Sequence, residues 1–275
     1  MENQVSAYQI EIRSSGTRFT AQTGETVLAA AARQGITLPY SCRNGTCASC
    51  HGRVLEGRVN YPYQPPQALS AEELARGEAL FCQAVPDSDL LIEAREIEAV
   101  RDFPVRTLPA RVEERVFLSP QVARLMLRLP RGQRLQFMAG QYADVLLSGG
   151  RRRAFSISSP PQHEDRIELH VRYVAGGDFT EWVFGDMPER AILRLEAPLG
   201  TFFVRGDSDR PMLMMGGGTG FAPLKAMVEQ LLADGDYRPL HLFWGARNRR
   251  ELYQSELPQA WAREHQHIRY TPVLS

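Results

Sequence analysis

Ser41-Cys42-Arg43-Asn44-Gly45-Thr46-Cys47-Ala48-Ser49-Cys50, together with Cys82 further on, is the stretch that decides the reading of this chain. These four cysteines are the only ones present. The order C-x4-C-x2-C with a distant fourth cysteine is the spacing by which four thiolates hold a [2Fe–2S] cluster. One loop must wrap three sulfurs around a compact cluster and aim backbone N–H groups at the sulfur atoms, offsetting their negative charge. Gly45 lets the backbone turn where a side chain would be strained, and the small residues Thr46, Ala48 and Ser49 let the loop lie close to metal. The fourth ligand can be distant because the fold brings it back. Two other uses of four cysteines compete. Structural zinc sites usually take two C-x2–4-C pairs, and a disulfide framework needs a secretory context. A cluster moves electrons one at a time, so electron transfer is the expected work.

Composition narrows the setting. At 275 residues the length suggests about two domains, and 43% hydrophobic residues supply real cores. Lys+Arg and Asp+Glu stand at 32 each, a formal net charge of zero, so nothing favours nucleic acid or an anionic membrane as partner. Met1-Glu2-Asn3-Gln4-Val5 lacks a basic region followed by an apolar run, and the apolar stretches are broken before bilayer-spanning length. A cytoplasmic, monomeric protein is expected, a compartment that keeps thiols reduced.

Three segments follow along the chain. In residues 1–100, residues 8–13 alternate as a half-buried strand does, and residues 26–33, with four consecutive alanines, read as a helix that Gly35 can end. Residues 53–59 and 90–97 are further strands. Strands and one helix around a cluster loop resemble the β-grasp fold of plant-type ferredoxins, a resemblance carried by the stretch from Ser41 to Cys50 and by Cys82. Residues 103–206 hold six short strand candidates (112–117, 123–129, 141–147, 154–158, 167–173 and 192–196) between turn signals, the pattern of a small antiparallel β-barrel. Residues 209–275 read as strand 211–215, a glycine loop, helix 223–232 stopped by Gly235, strand 240–244, helix 256–265 and strand 268–274. This βαβαβ order predicts an α/β domain with a parallel sheet of nucleotide-binding type.

Arg153-Ala154-Phe155-Ser156 lies on a predicted barrel strand. Taken alone it is an ordinary basic strand end. In sequence with the barrel and the later glycine loops it resembles the Arg-x-(Tyr/Phe)-Ser flavin motif of the ferredoxin–NADP reductase superfamily. The resemblance implies that Arg153 meets the flavin phosphate, Phe155 stacks near the flavin, and the Ser156 hydroxyl approaches N5, where hydride arrives. It also implies that Gly177 and Thr180, in Gly176-Gly177-Asp178-Phe179-Thr180, hold a pyrophosphate, with His170, Val171 and Arg172 lining the adjoining strand and Pro198-Leu199-Gly200 structural. A pyrophosphate turn favours FAD over FMN.

Gly216-Gly217-Gly218-Thr219-Gly220 lies between strand and helix, where backbone N–H groups can hold phosphate. It is neither Gly-x-Gly-x-x-Gly, because Phe221 replaces the third glycine, nor a Walker loop, and alone it could be a tight connection. It resembles the superfamily's Gly-Gly-Gly-Thr-Gly-x-x-Pro element, completed by Pro223, which binds the dinucleotide. The segments carrying Arg247 and Tyr253 resemble those near its adenosine ribose. Arg247, Arg249 and Arg250 could take a 2′-phosphate or form a solvated basic turn. The resemblance to ferredoxin-first reductases implies NADH, with NADPH open.

The chain stops at Ser275, after its third predicted parallel strand, and lacks the superfamily's Cys-Gly-Pro-Pro-type motif. We therefore expect a truncated nicotinamide domain with an exposed apolar edge at residues 211–215, binding cluster and flavin but handling nicotinamide poorly. The chain resembles NADH-dependent reductases of bacterial oxygenases and of deoxysugar-dehydrating systems. NADH would reduce FAD, and electrons would leave through the cluster to a protein acceptor docking around Arg43, Asn44 and Thr46. The alternatives are a stand-alone flavin or ferric reductase and a non-enzymatic redox sensor. His51, His265 and His267 are expected at the surface, and Trp182, Trp244 and Trp261 in packing.

Overall fold

The computed structural model describes residues 7–100, 102–163 and 165–275. The chain divides into two compact units, one of residues 1–104 with 200–202, the other of residues 105–199 with 203–275.

The first unit contains β1 (Ala7–Ile12), β2 (Arg18–Gln22), α1 (Val27–Arg33), β3 (His51–Glu56), β4 (Val59–Asn60), α2 (Ala71–Ala75), β5 (Glu78–Leu80), β6 (Val85–Pro86) and β7 (Leu90–Glu93). Its mixed sheet has the order β2-β1-β7-β3-β5, with β1 parallel to β7 and the other pairs antiparallel. Helix α1 forms where expected. The Thr26 hydroxyl caps it by accepting from the Ala29 N–H at 3.2 Å, and Gly35 leaves it at φ 77°. Its buried face, Val27, Leu28, Ala30 and Ala31, covers Ile10, Ile12, Phe19 and Ile92 of the sheet. Each large side chain removed from water there contributes roughly 1.5–3 kcal/mol. The strand expected over 53–59 is two pieces, β3 and the short β4, separated at Gly57, whose φ is 92°. The capping box of α2, in which Ser70 and Glu73 bond reciprocally, was not foreseen. Residues 200–202 belong to this unit through Thr201, whose N–H donates to the Tyr40 carbonyl at 3.1 Å while its hydroxyl accepts from the Tyr40 N–H at 2.9 Å.

The second unit holds a barrel and an α/β sheet. The barrel strands are β8 (Arg106–Ser119), β9 (Val122–Arg128), β10 (Tyr142–Leu146), β11 (Arg152–Ser156), β12 (Arg166–Arg172) and β13 (Ile192–Leu199), with α3 (Asp178–Phe184) after β12. All pairs are antiparallel in the order β11-β10-β13-β8-β9-β12, and a bridge between Ile157 and Leu169 brings the two edges together. Six strands were expected and six form. Alternation sends Ile167, Leu169 and Val171 into the barrel core and turns Glu168, His170 and Arg172 outward.

The α/β part is β14 (Met212–Gly217), α4 (Phe221–Asp234), β15 (Leu240–Ala246), α5 (Glu256–Glu264) and β16 (Ile268–Leu274), with a parallel sheet ordered β14-β15-β16. Gly235, at φ 69°, ends α4. Met214, Leu240, Leu242 and Trp244 pack against Phe221, Leu224, Val228 and Trp261 of the two helices. On the other face of β14, which lies at one edge of this three-stranded sheet, Leu213 and Met215 are 72% and 75% exposed. Among the described residues no helix is long and apolar enough to cross a membrane.

Candidate functional site: a cluster loop and two nucleotide loops

The cysteine loop is shaped by three residues in the left-handed region, Arg43 (φ 57°), Gly45 (φ 79°) and Ala48 (φ 55°). Two of them are not glycine, a strained arrangement that clusters at functional sites. The result turns amides toward sulfur. The Cys42 N–H donates to Cys47 Sγ and the Asn44 N–H to Cys42 Sγ, each at 3.4 Å, and the Thr46 hydroxyl reaches Cys42 Sγ at 3.6 Å. Cys50 and Cys82 are buried, Cys42 is half-buried and Cys47 is exposed. All four cysteines are free thiols, with Cys42 beside Cys47 and Cys50 beside Cys82. Amide donors at the Cys42 and Cys47 sulfurs suit the negative charge that cluster-bound thiolates carry. Burial opposes ionisation of Cys42, but bonds from Asn44, Cys47 and Thr46 outweigh it and bring the thiol down to about 6. Cys82 is held low first by the bond from Cys50; that bond, with burial, pushes Cys50 up. Thiolate is the form that ligates metal.

On β11, period 2 places Arg153 and Phe155 on one face and Ser156 on the other. Arg153 is exposed, and its Nη1 donates to the Arg152 carbonyl at 2.9 Å. Phe155 is half-buried against Phe179 of α3, with ring centroids 5.3 Å apart. Gly177 caps α3, and a Cβ there would lie 2.8 Å from Thr180 Oγ1. The Thr180 hydroxyl is committed to the turn itself, with Val174 O at 2.9 Å and Gly177 O at 3.0 Å. It shapes the glycine turn from within. Val171 is fully buried in the barrel core, so its side chain lines no open surface, whereas Arg172 reaches outward.

The glycine loop runs from the end of β14 into α4. A Cβ on Gly216 would fall 2.8 Å from the Gly220 carbonyl, whereas one on Gly217 or Gly220 would meet nothing within 4 Å. The loop thus packs tightly on one side and presents open backbone on the other, as a phosphate cradle requires. Thr219 is half-buried within it, and Pro223 sits in the first turn of α4, where its missing N–H costs nothing. Phe221, in place of a third glycine, stacks on Trp244 at 3.9 Å and 9°, and Trp244 Nε1 donates to the Gly218 carbonyl at 2.9 Å. The Arg172 guanidinium lies over this loop, its Nη1 3.0 Å from where a Gly218 Cβ would stand. The barrel strand and the glycine loop therefore meet. Arg247 is tied to Glu251, Nη2 to Oε1 at 2.9 Å, and Tyr253 points its hydroxyl to His170 Nδ1 at 2.9 Å.

Three family profiles match consecutive stretches: the 2Fe-2S iron-sulfur cluster binding domain over residues 10–87, the oxidoreductase FAD-binding domain over 109–204 and the oxidoreductase NAD-binding domain over 214–275. The CDP-6-deoxy-L-threo-D-glycero-4-hexulose-3-dehydrase reductase of Yersinia pestis is 36% identical over 266 residues, 97% of this chain and 79% of that protein. The chain belongs to the ferredoxin–NADP reductase superfamily. The phenol 2-monooxygenase reductase component DmpP of Pseudomonas sp. (strain CF600) is 39% identical over 273 residues, 98% of this chain and 76% of its own length. The crystal structure of the Amycolatopsis reductase GcoB aligns with TM-score 0.74 at 35% identity, over 97% of this chain and 80% of that one. Like other iron–sulfur flavoproteins of this superfamily, the chain is an NAD(P)H-dependent oxidoreductase using FAD and a [2Fe–2S] cluster.

Sequence reasoning missed the residues that hold these loops. Trp244 is more than packing, because its indole N–H fixes Gly218. Gln83, next to the fourth cysteine, donates to the Asn44 carbonyl at 3.0 Å. Lys225 is buried within the otherwise apolar first turns of α4, and a lone lysine in that run was the signal available.

Proposed function

We propose that this reductase takes its electrons from NADH and delivers them to a separate acceptor protein, an oxygenase or a sugar dehydrase. When bound, FAD accepts hydride from NADH and the cluster carries electrons singly; that chemistry belongs to the cofactors. The chain supplies position and charge. Arg153 offers a cation to the flavin phosphate, Phe155 an aromatic face buttressed by Phe179, and the Ser156 hydroxyl a hydrogen bond to the nitrogen that gains hydride. The loop from Gly216 to Gly220 offers backbone N–H groups to the dinucleotide. Arg172 adds a cation at Gly218, and this carries the reading: a barrel strand and the nicotinamide loop meet at one guanidinium, so both nucleotides can share a site. Arg247, engaged by Glu251, is withdrawn from a 2′-phosphate, which favours NADH. The relatives named as reductases of a monooxygenase and of a dehydrase support a protein acceptor. The acceptor would meet the loop at Arg43, Asn44 and Thr46, beside the exposed Cys47. The test is anaerobic reduction of the loaded protein by NADH and by NADPH, with low-temperature electron paramagnetic resonance on the product. A cluster signal formed faster with NADH supports the reading; equal or preferential use of NADPH overturns the coenzyme assignment. Acceptor reduction unchanged by alanine at Arg43, Asn44 and Thr46 overturns the docking surface.

A further inference from the structure

A chain of buried polar groups crosses between β12 and the α/β part within the second unit. Glu168, on the outward face of β12, receives at its Oε1 the Ser158 hydroxyl and His170 Nε2, each at 2.9 Å, and forms an ion pair with Lys225 Nζ at 3.2 Å. Lys225 also donates to the Ser158 carbonyl at 3.1 Å and to Glu229 Oε2 at 3.0 Å. The side chains of Lys225, Glu168 and His170 are 9%, 8% and 0% exposed. An ionised carboxylate only accepts, so His170 donates through Nε2, and its Nδ1 must accept from the Tyr253 hydroxyl at 2.9 Å. The sequence on both sides is informative. Arg172, two residues after His170 on the same strand face, lies over Gly218, and Lys225 stands in the second turn of the helix that the glycine loop opens.

Stability alone does not account for these groups, because replacing a buried ion pair by apolar side chains of like volume is often neutral or stabilising. Apolar contacts tolerate sliding, whereas directional bonds to one carboxylate oxygen fix a single register. We propose that Glu168, His170 and Lys225 are positioning residues for hydride transfer. They lock helix α4 and the Tyr253 ring onto the flavin strand, so buried charge sets the spacing between the two nucleotide sites. This rests on the reading that the barrel takes the flavin and the glycine loop the nicotinamide.

The test compares the full, cofactor-loaded wild type with Lys225→Met, Lys225→Arg and the isosteric Glu168→Gln. Stopped-flow reduction by NADH gives the limiting rate and the dissociation constant separately. Hydrogen exchange reports residues 166–172 and 221–228. The expected result for Lys225→Met and Glu168→Gln is a limiting rate on the order of 10²-fold lower, with NADH affinity and flavin and cluster content held, part of the rate restored in Lys225→Arg, and faster exchange in both segments together. An unchanged limiting rate, or a rate that falls only in proportion to lost flavin, overturns the proposal. If Lys225→Met fails to fold, Glu168→Gln decides on the same criteria. A wild type that binds FAD but is not reduced by NADH would sink the reading of the whole site. Exchange then judges the network by itself: joint loosening of the two segments keeps the lock, and an unchanged pattern in Glu168→Gln removes it.

Discussion

Gln83 Nε2 donates to the Asn44 carbonyl at 3.0 Å, tying the residue beyond the fourth cysteine to the loop that carries the other three. The same side chain leaves no room at Gly45, where a Cβ would fall 2.3 Å from Gln83 Oε1, and the backbone there has φ 79°. Gly45→Ala therefore meets both a steric conflict and a left-handed backbone, a strain of about 1–3 kcal/mol placed on the cluster loop. We expect purified Gly45→Ala to have lost most of its iron and cluster absorbance while retaining FAD. Iron analysis beside the flavin spectrum checks this.

The Trp244 indole does two things for the glycine loop: it stacks on Phe221 and donates to the Gly218 carbonyl. Trp244→Phe keeps a ring in the stack and removes the bond, worth about 1 kcal/mol. NADH binding should weaken roughly fivefold with FAD content unchanged, as read by the concentration dependence of flavin reduction.

Glu251 holds Arg247 through Nε at 3.0 Å and Nη2 at 2.9 Å. Glu251→Gln weakens that hold and leaves the guanidinium available to a 2′-phosphate. The ratio of kcat/KM for NADPH to that for NADH should rise severalfold, and steady-state kinetics with both coenzymes measure it.

His170 titrates below its ordinary value of 6.5, first because burial disfavours the imidazolium, although the Glu168 carboxylate favours it. Lys225 and Arg124 add repulsion, and Tyr253 contacts Nδ1. The unfolded chain then binds the proton first as pH falls, so the folded state loses stability below about pH 6.5, down to the depressed folded value, and by no more than about 1.4 kcal/mol per pH unit. The temperature at which flavin is released should fall between pH 7.5 and 5.5 in the wild type, both pH values being roughly one unit from the unperturbed pKa. His170→Gln should show a shallower fall. Thermal scans following flavin fluorescence across this range provide the check.

Much of this was legible in the sequence because its signals are local. The strand candidates of the barrel, the helical spacing of α4 and the stop at Gly235 depend on neighbours a few residues apart, and each corresponds to an element of the structure. What escaped depends on pairs far apart in the chain. Glu168 meets Lys225, Trp244 meets Gly218 and Arg172 approaches Gly218 only once the barrel strand and the α/β part are packed together. His170 and Tyr253 were both singled out, one for the flavin strand and the other for the ribose, but nothing local reveals that they bond to each other. Thr180 was likewise singled out, for a pyrophosphate, and nothing local reveals that its hydroxyl bonds the Val174 and Gly177 carbonyls of the glycine turn.

The most direct test of the account is an anaerobic titration of the full, cofactor-loaded chain with NADH, following the flavin and cluster bands together. The account predicts that the flavin bleaches and the cluster is then reduced, the opposite of the poor nicotinamide handling expected from the sequence. It would be contradicted if dithionite reduced both centres while NADH reduced neither.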